Sequence, residues 1–543
     1  MATSVSSQST PAATSKPPAF WLVYISICVL AFVVFLDGTI VSISLPRIAS
    51  TLHLENRYVW VTNSFWLAGT IVQPVFAQVS DIIGRKQPML ASVTFFFVGG
   101  AVCGFAKSGE TLIVGRTLQG IGGGGIMLLM EIILCDLLSL CERSRYIGIL
   151  LSIAAFGAIV GPPLGGAIAE RSWRWVFLLN LPVSAACFSI MAVFMKLRYR
   201  KPENWKAAVA QIDIVGTILF IAAMACLLVG LVYGSSSLPW SSPTVIVNLT
   251  IGCFIWVCFH AFEASPYCAN PVVPRHLFCN RTSVAGFGIT FVFSTFTTWF
   301  AFCWPTYFQG SLFMSPLKAG LNYLVYSALL IPSAIASGHL VTKTGWYKAV
   351  QLFGLATLAI GCGLNTTLDE HTPPGTRIGF IILNATGLGC IIPSVLPAIL
   401  AALPEKDVAK ATGMYSVLRS FGYIWGATLP TVLFNLSFSR SAYRIEEEEL
   451  RKKLSNGNVY QYINSELIHS LPTIIQNQVV GIYARSLRLT WEVGIGFSVL
   501  GLLVAPLQKN LPLRTTVETE YGLATADEGV TERKYPIQSG QDV

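Results

Sequence analysis

Long apolar segments separated by short polar loops dominate this sequence. Each is about 20 residues long, the length that an α-helix needs to cross the hydrocarbon core of a bilayer. We count about 14 such segments, near 20–45, 58–78, 88–106, 112–137, 145–169, 174–195, 211–233, 244–263, 283–304, 318–341, 347–366, 377–400, 409–436 and 488–508. Because lipid offers no partner to backbone N–H and C=O groups, this pattern predicts an all-α polytopic membrane protein.

The composition argues against a soluble protein, a nucleic-acid-binding protein and an enzyme. The chain is 53% hydrophobic and 12% charged, and its net charge of +9 comes from basic residues in short loops rather than from a nucleic-acid-binding motif. Its 13 cysteines and 6 histidines show no metal-ligand spacing. No zinc-protease, phosphate-loop or nucleophile-elbow motif occurs, so we expect no cofactor, no metal and no catalysis.

The distribution of Lys and Arg predicts that both termini are cytosolic. With that orientation the inside loops and tails hold about 20 basic residues and the short outside loops about seven. We predict a disordered cytosolic tail (1–19), an N-terminal six-helix half (20–195), a linker with an inserted two-helix hairpin (196–282), a C-terminal six-helix half (283–508) that includes an outside loop (438–487), and a cytosolic tail (509–543).

An internal repeat of two glycine patterns supports the division into two halves. Short turns with a glycine and basic residues join the second to the third span and the tenth to the eleventh, at Gly84 and Gly345. The fifth span contains Gly157 and Gly161 four residues apart, and the thirteenth contains Gly422 and Gly426. Both pairs are offset by about 260 residues, which predicts a parallel repeat of two six-helix units.

Charged residues lie inside the first and fourth apolar spans, where ionisable groups are costly and therefore usually functional or paired. The first span contains Leu36-Asp37-Gly38-Thr39-Ile40-Val41, and the fourth contains Gly115-Arg116-Thr117-Leu118-Gln119-Gly120. Both strings resemble signatures of the major facilitator superfamily, specifically of its 14-span drug:proton antiporter branch, in the form common among fungal multidrug and toxin exporters. The resemblance implies that Arg116 takes part in proton coupling, and an interaction with Asp37 fits their similar depths. The alternative is that Asp37 is solvated at the outer interface.

Two further strings extend the resemblance to nearly the whole chain, from about residue 20 to 508. Asp81, Gly84, Arg85 and Lys86 are similar to the superfamily's gating loop, although Ala77 replaces an expected glycine. The antiporter motif is matched by Gly157, Gly161, Pro162, Gly165 and Gly166 in the fifth span. The resemblance implies a major-facilitator fold of two six-helix bundles plus the inserted hairpin. In the family this motif marks exporters rather than sugar-type importers.

Glu131 departs from the family pattern, which has an uncharged residue at this place in the fourth span. It lies about four turns from Arg116. It is expected either to carry a coupled proton, to bind a cationic substrate or to form an ion pair with a group such as Arg419. Arg419 in the thirteenth span matches the family pattern and belongs to the same set of candidates.

These observations predict proton-coupled efflux of small, largely apolar molecules such as drugs or secondary-metabolite toxins. The alternative is uptake by the same fold, for example of a siderophore or nutrient. We expect a monomer whose partners are a small-molecule substrate, protons and membrane lipid. The plasma membrane is favoured over the vacuolar membrane, and Asn365, in the sequon Asn-Thr-Thr, is a candidate glycosylation site.

Overall fold

The computed structural model describes residues 16–52, 58–197, 213–236, 240–266, 268, 271, 275–314, 316–454 and 472–513. Within these residues the long helices are α1 (Pro18–Thr51), α2 (Tyr58–Ile83), α3 (Lys86–Gly104), α4 (Gly109–Leu137), α5 (Leu140–Arg171), α6 (Asn180–Phe194), α7 (Ile214–Ser236), α8 (Pro243–Glu263), α9 (Arg281–Thr306), α10 (Pro316–Thr344), α11 (Tyr347–Asn365), α12 (Pro374–Ala401), α13 (Val408–Ser441) and α14 (Thr473–Val504). Short helices occupy Trp175–Leu178 and Glu448–Leu454.

Twelve helices of the described chain are long and apolar enough to cross a membrane. The predicted number of about 14 spans is therefore not confirmed, although a helix occurs at each predicted position. The two exceptions, α2 and α13, have the length but carry more polar residues. Their polar side chains Gln73 and Ser420 are buried against each other, with the Gln73 amide donating to the Ser420 hydroxyl at 3.1 Å.

The last long helix is longer than the sequence indicated. α14 begins at Thr473, inside the segment 438–487 that we predicted as an outside loop. Its first turns are amphipathic: Ile482 and Leu487 are buried, whereas Arg485 and Arg488 are exposed. A hydropathy window averages these faces and misses the helix. Residues 1–15, 198–212, 455–471 and 514–543, which hold most of the predicted tails, part of the linker and the centre of this loop, lie outside the described residues.

The helices form two bundles with the same internal arrangement. In the N half (α1–α6), α1 packs along α5, and α4 packs against both α2 and α3. In the C half (α9–α14), α9 packs along α13, and α12 packs against both α10 and α11. The corresponding helices are paired in the same way, as expected for a parallel repeat, which confirms the prediction of two six-helix bundles.

The two halves meet along two seams, and the inserted hairpin covers one of them. α5 contacts α10 and α12, whereas α13 contacts α2 and α4. In the hairpin (α7–α8), α7 packs against α2 of the N half and α13 of the C half. The Trp60 indole N–H donates to the Tyr233 hydroxyl at 3.0 Å and joins α7 to α2.

Candidate proton-coupling site and gate

Asp37 of α1 faces α4 and α6 inside the N half, where it is completely buried. The Arg116 guanidinium of α4 donates to Asp37 Oδ2 through Nη1 at 2.5 Å. The amides of Gln119 and Asn180 donate to Asp37 Oδ1 at 2.9 and 2.5 Å. The carboxylate therefore has three donors from α4 and α6. This excludes the alternative that Asp37 is solvated at a helix end.

Arg116 is bound on several sides and is completely buried. Its Nη1 also donates to Gln119 Oε1 at 2.8 Å, and its Nε donates to the Val61 carbonyl oxygen at 3.0 Å. The guanidinium carbon lies 4.4 Å from the centre of the Phe65 ring, within the range of a cation–π contact. A guanidinium with contacts on this many sides is held in one position beside the Asp37 carboxylate.

Glycines bring α1 close enough to hold Asp37 in this position. The three described glycines of the predicted antiporter motif are Gly157, Gly161 and Gly165 of α5, which face α1. A Cβ on Gly157 would collide with the Phe32 carbonyl oxygen, and a Cβ on Gly161 would collide with the Thr39 hydroxyl. Only glycine permits this approach of two backbones. The side chain of Pro162 and the surroundings of Gly166 lie outside the description.

The same contact recurs in the C half. A Cβ on Gly422 of α13 would collide with the Ser294 hydroxyl of α9, and one on Gly426 would collide with the Thr295 carbonyl oxygen. The glycine pairs that recur in the sequence therefore make equivalent helix contacts, α5 with α1 and α13 with α9.

We expect Gly157→Ala to destabilise the N half by about 1–3 kcal/mol, because the added methyl group overpacks the contact of α5 with α1. Gly379→Ala in α12 is the matched control, since no atom lies within 4 Å of the position that its methyl group would take. Thermal unfolding of both variants in detergent checks this prediction. Equal melting temperatures for the two would contradict it.

Glu131 and Arg419 form an ion pair between the halves. Glu131 of α4 accepts from Arg419 Nη1 through Oε1, and from the Ser416 hydroxyl through Oε2 at 2.9 Å. Glu131 is completely buried and Arg419 is 1% exposed. Of the three alternatives left open for Glu131, this geometry favours the pair with Arg419.

The gating-loop residues lie at one end of the bundle, which we call the Arg85 end; the opposite end is the Trp173 end. Gly84 has a φ of +83°, a conformation that favours glycine. This turn brings Arg85 between two carboxylates, with Nη1 2.6 Å from Asp81 Oδ1 and Nε 2.9 Å from Asp136 Oδ2. Lys86 lies apart from them and donates to the Ala192 carbonyl oxygen at 2.6 Å, near the end of α6.

The C half repeats the turn but not its acidic partners. Gly345 has a φ of +71°, and Lys348 donates to the carbonyl oxygens of Pro506 and Gln508 just after α14. Lys86 and Lys348 therefore both bind the end of the last helix in their own half. At the position of Asp81 the C half has Thr342, three residues before the glycine. The carboxylates that surround the arginine of this turn thus belong to the N half.

Sequence reasoning missed two ionic contacts at the Arg85 end, namely that of Asp136 with Arg85 and that of Arg143 with Glu405. Asp136 ends an apolar span, and a carboxylate at that depth opposite a predicted gating arginine was an available signal. Arg143 is 1% exposed, and its Nη2 lies 2.8 Å from Glu405 Oε1 in the turn between α12 and α13. These two are 262 residues apart in the chain, and no local pattern links them.

Asn365, the candidate glycosylation site, is the last residue of α11. Its side chain is 1% exposed, so an oligosaccharide transferase would need this end of the helix to open. Glycosylation stays a prediction. Among the described residues, no group of His, Cys, Asp and Glu side chains has the arrangement of a metal site.

Two similar halves of apolar helices, with a buried carboxylate–arginine pair in one of them, are the architecture of a polytopic membrane protein. The sequence model of the Major Facilitator Superfamily matches residues 27–427. The chain belongs to this superfamily, whose members transport small molecules.

Curated relatives match along almost the whole chain. It is 40% identical to the MFS efflux transporter aclA of Aspergillus oryzae, with 94% of each chain covered. It is 38% identical to the MFS-type efflux pump LUC4 of a Fusarium species, covering 96% of this chain and 93% of the relative. Among solved structures, the human organic anion transporter MFSD10 matches with a TM-score of 0.58 at 13% identity, over 90% of this chain and 100% of the other. That similarity supports the fold alone.

Proposed function

We propose that this chain exports small, largely apolar molecules, such as drugs or secondary-metabolite toxins, in exchange for protons. Relatives that match over more than nine-tenths of the chain are named efflux transporters or efflux pumps. The observation that carries the proton coupling is the burial of Asp37 beneath three donors, one of them Arg116. A carboxylate in such a place gains or loses a proton only by changing its bonds to the helices around it.

Export follows from alternating access of a cavity between the halves. Contacts between the halves close the Arg85 end, through Arg143 with Glu405 and Glu131 with Arg419. A proton that binds Asp37 cancels the charge that Arg116 neutralises. The donors from α4 and α6 then bind less tightly, which changes the shape of the N half at the cavity. Inward proton flow would drive outward movement of the substrate.

The proposal also covers the membrane in which the chain acts and its oligomeric state. The chain is an integral multi-pass membrane protein, and we place it in the plasma membrane, with the vacuolar membrane as the other candidate. We propose that it acts as a monomer, since each half presents its partner helices within one chain. On this proposal the chain moves its substrate across the membrane without changing it chemically.

Vesicles with a defined orientation and an imposed pH difference test the proposal. Rhodamine 6G, a lipophilic fluorescent dye, is the probe. Asp37→Asn is expected to abolish dye movement driven by the pH difference, while dye exchange down its own gradient persists, because the amide keeps the shape of the site but binds no proton. Glu492→Gln is the matched control: it makes the same change on the exposed face of α14, where Glu492 pairs with Arg488.

Three outcomes would contradict the proposal. Full pH-driven transport by Asp37→Asn would remove this carboxylate from proton coupling. If the parent protein moves dye at the same rate with and without the pH difference, proton coupling is excluded altogether. Accumulation on the side to which protons also move would indicate uptake by symport.

A further inference from the structure

The seam between α13 and the N half is polar, and we call it the α13 seam. Four side chains of α13 face the other half, namely Thr412, Ser416, Arg419 and Ser420. Their spacing of four, seven and eight residues puts them on one face of the helix. They meet Gln73 of α2 and Glu131 and Cys135 of α4. The ion pair of Glu131 with Arg419 is the charged contact of this seam.

The seam formed by α5 is different in kind. A Cβ on Gly148 of α5 would lie 3.1 Å from the Ala334 carbonyl oxygen of α10, and one on Gly338 of α10 would lie 2.6 Å from the Ser144 carbonyl oxygen. These small residues let the two backbones touch, so the strength of this contact does not depend on a proton. The α13 seam is therefore lined by polar and charged contacts, whereas the α5 seam is held by close packing and has the ion pair of Arg143 with Glu405 at its end.

Asp37 and Glu131 also differ in what they join. Asp37 binds α4 and α6, so its bonds stay within the N half. Glu131 binds α13, so its bonds have to break whenever the Arg85 end opens. Protonation of Asp37 reshapes one half, whereas protonation of Glu131 weakens the contact between the halves.

We propose that Glu131 is a second proton-binding site, which holds the Arg85 end closed when it is ionised and lets that end open when it is protonated. This inference rests on the proposed function and assigns the opening step to a residue separate from Asp37. The carboxylate takes one proton from water and becomes a neutral acid, while Arg419 keeps its charge. Opening then allows water to reach Arg419, which relieves the cost of a buried cation without a counter-ion.

The surroundings of Glu131 suit such a site. The titratable groups that act on it are Arg419, Tyr415 and Tyr423 from α13 and Cys135 from α4. The Tyr415 ring lies 5.1 Å from the Arg419 guanidinium carbon and helps to hold that cation in the absence of the carboxylate charge.

The test measures the opening of the Arg85 end without any substrate. Spin labels are attached at Gln87→Cys in the N half and Lys343→Cys in the C half, two exposed positions near the turns of that end. The exposed native Cys253 and Cys279 are changed to serine in all samples. The full chain in lipid nanodiscs is frozen at a pH of about 8 and at a pH of about 5, and the distance between the labels is measured by electron double resonance.

In the parent protein we expect a short distance at the higher pH and a growing long-distance population at the lower pH. Glu131→Gln is expected to give the long distance at both pH values, with the open population rising from about 10% or less to the majority. The charge-reversed pair Glu131→Arg with Arg419→Glu should restore the short distance at high pH and its loss at low pH. Asp37→Asn should keep the pH response of the distance.

The inference is overturned if Glu131→Gln stays closed and keeps the parent's pH response. It is also overturned if Asp37→Asn alone removes that response. If Glu131→Gln does not fold, the charge-reversed protein decides by the same criterion, because loss of its pH response contradicts the inference. Failure of dye transport with an intact pH response of the distance would instead count against the proposed export.

Discussion

Replacement of Arg116 by alanine is expected to abolish pH-driven export and to lower the free energy of unfolding by about 3–5 kcal/mol. The reason is that Asp37 would stay buried with the Gln119 and Asn180 amides as donors and with no counter-charge. Thermal unfolding in detergent and dye movement in vesicles measure the two effects.

A surface ion pair supplies the control for this change. Arg488→Ala removes a guanidinium that is 65% exposed and bound to Glu492, and we expect it to cost about 1 kcal/mol or less. The double variant Asp37→Asn with Arg116→Gln removes both charges together. It should regain most of the stability without regaining export, which separates folding from coupling. Parental stability in Arg116→Ala would mean that the pair is open to water.

A disulfide across the α13 seam is expected to stop export completely and reversibly. The Ala77 Cβ lies 3.1 Å from the place that a Cβ on Gly413 would take, slightly closer than the usual separation of about 3.5–4.5 Å in a disulfide. In Ala77→Cys with Gly413→Cys, oxidation joins α2 to α13 and holds the Arg85 end closed. Export should fall to the level of vesicles without protein and return after reduction, because alternating access requires that end to open.

A cross-link inside one half is the control for this experiment. The Cβ position of Gly494 in α14 lies 3.6 Å from the sulfur of Cys362 in α11, so Gly494→Cys can pair with a native cysteine of the same bundle. Because this bridge lies within one half, it should not hinder the proposed movement of one half against the other and should leave export intact. The single variants Ala77→Cys and Gly413→Cys should also be unaffected by oxidant. Continued export by the oxidised double variant would contradict closure of this seam as a step in transport.

Some features were identifiable from the sequence because each differs plainly from its neighbouring residues, namely Asp37, Arg116 and the two glycine turns. A charge inside an apolar span is conspicuous, and a glycine between two spans beside basic residues marks a turn. The partners of these residues were harder to find. Gln119 lies in a motif that the sequence analysis quoted, but an amide inside a span has too many ordinary uses to be assigned as a ligand of Asp37, and the same holds for Asn180. Asp136 and the contact of Arg143 with Glu405 were missed.

The beginning of α14 shows a second limit of sequence-based prediction, which concerns the faces of a helix. Hydropathy reports the mean of a helix, whereas burial depends on which face meets a neighbour. Arg485 and Arg488 lower the mean of the first turns of α14, although Ile482 and Leu487 beside them are buried. For this reason the predicted loop 438–487 took in residues that are helical.

The sequence alone determined that this chain is a set of apolar helices, where most of them lie, that two glycine-marked units repeat, and which charges sit inside spans. These are properties of about 20 neighbouring residues, and they follow from hydrophobic burial and backbone hydrogen bonding within each helix. Only the tertiary structure decided that Asp37 pairs with Arg116, 79 residues away, and Glu131 with Arg419, 288 residues away. A helix fixes the depth of its side chains, but its rotation and its neighbours are set by the packing of all the helices together.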